Sequence, residues 1–154
     1  MRKQKEQTIA REFEPKLSPK EYSDILDKLE LRGISIDKLE AVVDRKAISN
    51  AKELSIEIEE SSDYEVDNNL IVHARLKALC KLQKTECFSI EAVYSLVFDA
   101  DEEISSEFFD IFKVLNLPLT IWPFFRELVN STTSRMGVPA LTLPLQRTHI
   151  LADE

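Results

Sequence analysis

The side chains able to do chemistry are few and poorly spaced for it. Among 154 residues there are two histidines, His73 and His149, and two cysteines, Cys80 and Cys87. A bound metal needs three or four converging ligands, and no His/Cys spacing here supplies them. Glycine occurs only at Gly33 and Gly137. A phosphate-cradling loop needs several, because backbone must approach the ligand closely, so nucleotide binding by such a loop is excluded. Carboxylates are plentiful, but Glu57, Glu59 and Glu60, like Asp101, Glu102 and Glu103, form runs. General acid–base work asks instead for a carboxylate whose pKa is tuned by its setting. The pattern speaks against an enzyme and implies no cofactor.

The totals point the same way. The formal net charge is -8, with 44% apolar and 31% charged residues, close to soluble globular proteins. The length fits one domain with a real core. An acidic surface repels phosphate backbones, against nucleic-acid binding, and helps keep soluble a protein that exposes apolar surface. No run approaches the ~20 apolar residues that span a bilayer. The charged N-terminus lacks the apolar stretch of a secretory signal. These features predict a cytoplasmic protein without membrane insertion.

The elements that position these residues follow from periodicity. Residues 1–17 read as a flexible arm. Ser18, Pro19 and Glu21 form a capping box before Tyr22, Ile25, Leu26 and Leu29, predicting a short helix over Pro19–Lys28. Glu30–Val43 reads as a first strand. Its parity slips between Ile34/Ile36 and Leu39/Ala41/Val43, which predicts a bulge. After a crossover loop at 44–51, Leu54, Ile56 and Ile58 alternate with polar residues in a second strand. Ser61–Asn69 reads as a connection. Leu70–Leu82 and Glu86–Phe98 alternate as strands three and four.

The hairpin between those two strands has an arguable register. A two-residue loop at Gln83-Lys84 would pair Cys80 with Cys87 and set Phe88 and Ile90 on the face of Arg75 and Lys77. A three-residue loop pairs Cys80 with Phe88, Ala78 with Ile90, Leu76 with Ala92, Ala74 with Tyr94 and Val72 with Leu96, and Lys77 with Glu91 on the other face. One residue of slip turns a strand inside out, so the second register is preferred. It places Cys80 and Cys87 on opposite faces, against a disulfide.

Ser105 or Ser106 then caps a helix carrying Phe108, Phe109, Ile111, Phe112 and Leu115. Pro118 is expected to end it. Thr120 is expected to cap a second helix with Pro123 in its first turn and Gly137 at its left-handed C-cap. The predicted fold class is α+β: a four-stranded antiparallel sheet with two C-terminal helices packed on one face and a short N-terminal helix. Two apolar helix stripes and the Val138–Leu145 tail compete for one small sheet face. That surplus marks self-association or a binding surface, and Phe109, Phe112, Trp122, Phe125 and Val129 are expected at an oligomer interface.

Two strings then carry a resemblance. Ile121-Trp122-Pro123-Phe124-Phe125-Arg126-Glu127, followed by Ser134-Arg135-Met136-Gly137-Val138-Pro139-Ala140-Leu141-Thr142-Leu143, resembles the long helix of the SecB-like chaperone family and its Pro-X-Leu-X-Leu exit. About twenty residues carry the match. The resemblance implies a single SecB-like domain over 18–146 with a polar tail at 147–154. It implies a homotetramer, a dimer of dimers, that holds unfolded polypeptide clients without ATP in hydrophobic surface grooves. By the same resemblance, Leu54, Ile56 and Ile58 form the groove floor and Val138, Leu141 and Leu143 its lid, all client-binding. Glu91 matches the strand-four acid that contacts the SecA motor, whereas the strand-one acidic positions fall at Lys38 and Val42. The crossover reads Ala47-Ile48-Ser49-Asn50-Ala51 in place of the family's aromatic-Gln-Pro-like stretch. The main expectation is a role in protein export. The alternatives are a relative dedicated to the antitoxin of a toxin–antitoxin system and an oligomeric scaffold without holding activity.

Overall fold

Alternation and capping set the order of the elements in the computed structural model, which describes residues 15–48, 54–101 and 103–145. Helix α1 (Pro19–Leu26) precedes β1 (Glu30–Val43), a single-turn α2 (Arg45–Ile48), β2 (Ser55–Asp67), β3 (Asn69–Leu82), β4 (Thr85–Asp99), α3 (Ser106–Leu115) and α4 (Leu117–Arg135). The expected arm up to residue 14, the crossover at 49–53 and the tail from 146, with His149, lie outside the described residues. The strands form one antiparallel sheet of order β1-β4-β3-β2, so β1 and β2 are its edges.

The hairpin has the register that kept every pair apolar. Cys80 faces Phe88, Ala78 faces Ile90, Leu76 faces Ala92, Ala74 faces Tyr94 and Val72 faces Leu96. The turn itself is only Gln83-Lys84, with Gln83 at φ 56. The additional residue is Cys87, bulged between the Lys81–Glu86 and Cys80–Phe88 pairs. This corrects the expected separation of the cysteines. Both are buried in one small cluster with Phe88 and Val138, as free thiols. The bulge expected in β1 is present between Ile36 and Lys38, with a second between Leu31 and Gly33. Strand β2 runs on through the expected connection to Asp67, turning tightly at Asn68 with φ 58. Asn tolerates that left-handed conformation better than most side chains.

The helix-side face of β3 and β4 is the floor of the core. Leu70, Val72, Ala74, Leu76 and Ala78 lie beside Ile90, Ala92, Tyr94, Leu96 and Phe98. Phe108, Phe109, Ile111 and Phe112 of α3, and Ile121, Trp122, Phe125 and Val129 of α4, close over it. Ser105 caps α3 by accepting from the Phe108 amide. Pro118 does not end that helix but stands in the first turn of α4, where it removes only a donor without an intrahelical partner. Thr120 is no cap: its hydroxyl donates to the Asn116 carbonyl at 2.9 Å. Pro123 therefore lies inside the helix and leaves the Leu119 carbonyl without its i+4 donor. The helix ends as expected, with Gly137 at φ +73.

Candidate functional site

The edge strand β2 carries Ile56 and Ile58 of the expected groove floor, and Leu54 stands just before it. On its helix-side face Ile56 stands opposite Cys80 and Ile58 opposite Ala78. Ile56 keeps 39% of its surface exposed, Leu54 keeps 41%, and Ile58 is half-buried against the core. The same face then turns polar at Glu60 and Ser62 and apolar again at Tyr64 and Val66. Tyr64 is held by the Phe109 ring at a centroid distance of 4.3 Å, while Val66 is exposed. At the polar stretch a cleft of about 360 Å³ opens between Glu60, Ser62 and Leu76 on the sheet and Leu117, Pro118 and Ile121 on α4. Partial loss of water raises the pKa of Glu60 above the ordinary carboxylate range.

The tail after Gly137 is fastened to α4 by a ladder of side chains. Trp122 Nε1 donates to the Pro144 carbonyl at 2.7 Å and Arg126 Nε to the Leu143 carbonyl at 2.7 Å. Asn130 Nδ2 donates to the Leu141 carbonyl at 3.3 Å, and Thr133 Oγ1 accepts the Leu141 amide at 2.9 Å. Residues 122, 126, 130 and 133 share one face of a helix. These bonds pair the Leu141 amide and the Leu141, Leu143 and Pro144 carbonyls without the tail joining the sheet.

The three expected lid residues are treated differently. Val138 is buried in the small cluster with Cys80, Cys87 and Phe88, and Leu141 spans both clusters. Leu143 is completely buried in the main core. The residues expected as floor and as lid meet at Cys80, which lies across from Ile56 and in one cluster with Val138. Burial, and secondarily the neighbouring Cys87, pushes the Cys80 thiol up, which favours its protonated form.

The other face of the sheet carries a run of charges across its middle, with Leu79 buried and Val42 exposed toward one end. Arg75 pairs with Glu91 at 2.9 Å and Glu59 at 3.7 Å, and Lys38 with Glu91 at 3.4 Å and Glu40 at 3.8 Å. His73 lies 3.8 Å from Asp37 and 3.6 Å from Glu65. Glu91, expected as a motor contact, is thus the hub of a charge run crossing four strands. Lys77 is its strand neighbour, but the ion pair goes diagonally to Arg75. The Arg75 hydrogen bond, with a smaller effect of Lys38, holds Glu91 below the ordinary carboxylate range. A lowered folded pKa contributes stability above the unfolded pKa and loses it as pH falls through the folded value. Glu91→Gln should therefore lower stability in urea at pH 7. The gap to the unaltered chain should shrink below about pH 4, where the unfolded carboxyl is protonated. A gap that does not change as the pH falls through the carboxylate range would show that packing, not charge, is lost.

The expected oligomer interface is corrected. Phe109, Phe112, Trp122, Phe125 and Val129 are all buried in the protomer's own core. They are covered because α3, α4 and the tail share one sheet face after all. The apolar surface left over lies along the edges. On the β1 flank Leu31, Ile36 and Leu39 are exposed beside Phe124, which keeps 50% of its surface. A pocket of about 170 Å³ lies there between Ile34, Ile36, Tyr94, Phe124, Glu127 and Leu128. The buried Tyr94 hydroxyl has no hydrogen-bond partner among the described residues. Burial, and then Glu127, pushes its pKa up to about 12. The visible signal in the sequence was Phe124, off the main stripe of its helix. Among the described residues no His, Cys, Asp and Glu group could hold a metal ion, and no single helix is long and apolar enough to cross a membrane.

Against known proteins, a family model described as SecB, preprotein translocase subunit SecB, matches residues 26–146. No curated protein sequence matches. Among solved structures the fold is similar to a Mycobacterium tuberculosis SecB-like chaperone in complex with a ChAD peptide from the HigA1 antitoxin. The TM-score is 0.70 at 19% identity, covering 80% of this chain and 95% of that one. A Streptococcus agalactiae protein of unknown function aligns with a TM-score of 0.41 at 14% identity, over 76% of this chain and 97% of that one.

Proposed function

The chain belongs to the SecB family, and we propose that it is an ATP-independent holdase that binds unfolded polypeptide along the open flank of β2. The observation that carries this reading is the exposure of Ile56 on the edge strand β2, and of Leu54 just before it, beside the buried Cys80 and Ala78 of β3. Apolar side chains on an unpaired edge grip many sequences weakly, and several such contacts along one client add up. Residues 18–146 would form the holding domain.

Two observations favour a dedicated client over general export. The fold is that of a chaperone bound to an antitoxin peptide. The charge of Glu91 is already matched by Arg75 and Lys38, which leaves little for a basic motor segment. A client such as an antitoxin is therefore the preferred reading, with SecA delivery secondary. In the assembly, proposed as a homotetramer in the cytoplasm, the β1 flank with Ile36, Leu39 and Phe124 is the seam between copies.

The test is aggregation of a reduced, unfolded protein in the presence of the purified chain, together with the identity of polypeptides that co-purify from its source cells. One dominant antitoxin supports dedication, and a spectrum of preproteins supports export. No suppression at normal oligomer size removes the holdase reading and leaves the scaffold.

A further inference from the structure

The small cluster of Cys80, Cys87, Phe88 and Val138 is separate from the main core. Ala47 and Ile48 of α2 pack against it, as do Met136 and Leu141 at the exit of α4. Helix α2 is a single turn without a buried residue, too short to be stable by itself. Its start is tied to the sheet. The Asp44 amide donates to the Cys87 carbonyl at 2.8 Å, and Asp44 Oδ1 accepts the Lys46 and Ala47 amides at 3.0 and 3.1 Å.

Arg45 joins this turn to the end of α4. Its Nη2 donates to the Met136 carbonyl at 2.7 Å. Met136 is the C-cap of α4, so that carbonyl has no partner within the helix, and a cation there meets the negative end of the helix dipole. Arg45 Nη1 lies 3.7 Å from the place where a side chain on Gly137 would begin. The guanidinium thus sits against the two residues directly before Val138. Residues 138–140 make no hydrogen bond among the described residues. Beyond them Leu141 is fastened to Asn130 and Thr133. The course of the chain at Val138 is therefore fixed from its two ends, by the α4 ladder on one side and by Arg45 on the other.

We infer that Arg45 is a positioning residue: its bond to Met136 seats Val138 in the cluster with Cys80 and closes that end of the β2 flank, as a unit that opens apart from the main core. Ile56, Cys80 and Phe88 stand in one row across β2, β3 and β4. With Val138 lifted, Cys80 and Phe88 lengthen the apolar face that Ile56 begins. The consequence for clients rests on the holdase reading; the seating of Val138 does not.

The chain's only two thiols are Cys80 and Cys87, so their rate of labelling by a chromogenic disulfide reagent, in the full folded chain, reads this cluster alone. Arg45→Met removes a charge-assisted hydrogen bond and should speed labelling roughly tenfold or more, at an unaltered urea midpoint. Arg45→Lys keeps the charge without the planar fork and should give an intermediate rate. Arg135 lies in the last turn of α4 and makes no ion pair or side-chain hydrogen bond among the described residues. Arg135→Met removes the same charge from the same helix end and should leave the rate within about twofold. Labelling of Arg45→Met as slow as that of the unaltered chain overturns the proposal. Equal acceleration by Arg135→Met also overturns it, assigning the effect to charge at the helix end. Acceleration that follows a fall in the urea midpoint shows that the cluster opens only with the whole fold, and overturns the separate unit. A reduced and carboxymethylated client should bind Arg45→Met severalfold more tightly than the unaltered chain, and equal affinity overturns the consequence for clients. Failure of every variant to hold a client sinks the holdase reading alone, because thiol labelling still reads the seating of Val138.

Discussion

Phe125→Ala should lower the folding stability of the protomer by about 3–5 kcal/mol, the cost of truncating a large buried aromatic and leaving a cavity. Phe125 has no exposed surface, and its ring lies 5.9 Å from that of Trp122 in a tilted arrangement. The interior is close-packed, so the surroundings collapse only partly into the space left. Its neighbour makes the measurement decisive. Phe124, one residue earlier, keeps half its surface in water and lines the β1 flank. Phe124→Ala should therefore cost the protomer under about 1 kcal/mol while weakening association of copies. Urea unfolding at several protein concentrations separates the two, since association makes the midpoint concentration-dependent. A large loss from Phe124→Ala at high dilution with little from Phe125→Ala would reverse the placement of core and seam along this helix.

That reversal is what the sequence invited. The aromatic residues of α3 and α4 look like more than one small sheet can cover, because periodicity gives each stripe but not how stripes share a floor. The structure settles them together: α3 and α4 meet at a 45° bend, and Leu143 fills the remaining space. By contrast the β3–β4 pairing was legible, since the alternative two-residue loop without a bulge set Phe88 and Ile90 on the face of Arg75 and Lys77. What escaped was where the additional residue goes. A three-residue loop and a two-residue turn with a bulge at Cys87 give the same pairing, and only the second brings both thiols together.

The length of β2 was hidden by composition. Ser61, Ser62, Asp63, Glu65 and Asp67 read as a loop, yet Tyr64 and Val66 keep the parity of Ile56 and Ile58. The charges lie on the face that stays in water, and the alternation was there to be counted. The ladder of Trp122, Arg126, Asn130 and Thr133 had no such signal. Its donors serve main-chain carbonyls of an irregular tail, and side chains that bind backbone leave no pattern in their partner's sequence.

The second large effect is expected at Ile56. Ile56→Asp should reduce client affinity by ten- to a hundredfold. A fully buried aliphatic side chain is worth about 1.5–3 kcal/mol over its exposed state, and a carboxylate in its place must also be stripped of water when a client covers it. Folding should suffer far less, because Ile56 already faces solvent on an unpaired edge. The acidic character of the strand is not in itself the obstacle, since Glu57 and Glu59 stand on the opposite face. A control follows from the same strand: Ser55→Asp adds the same charge one residue away but on the polar face, and it should leave client affinity unchanged within a factor of two. Isothermal titration with a reduced, unfolded client distinguishes the two changes. Equal losses for both would mean that net charge repels the client and that the exposed face of β2 is not where it binds. A loss confined to Ile56→Asp, at unaltered oligomer mass, ties holding to the apolar face that helices and tail leave open on β2.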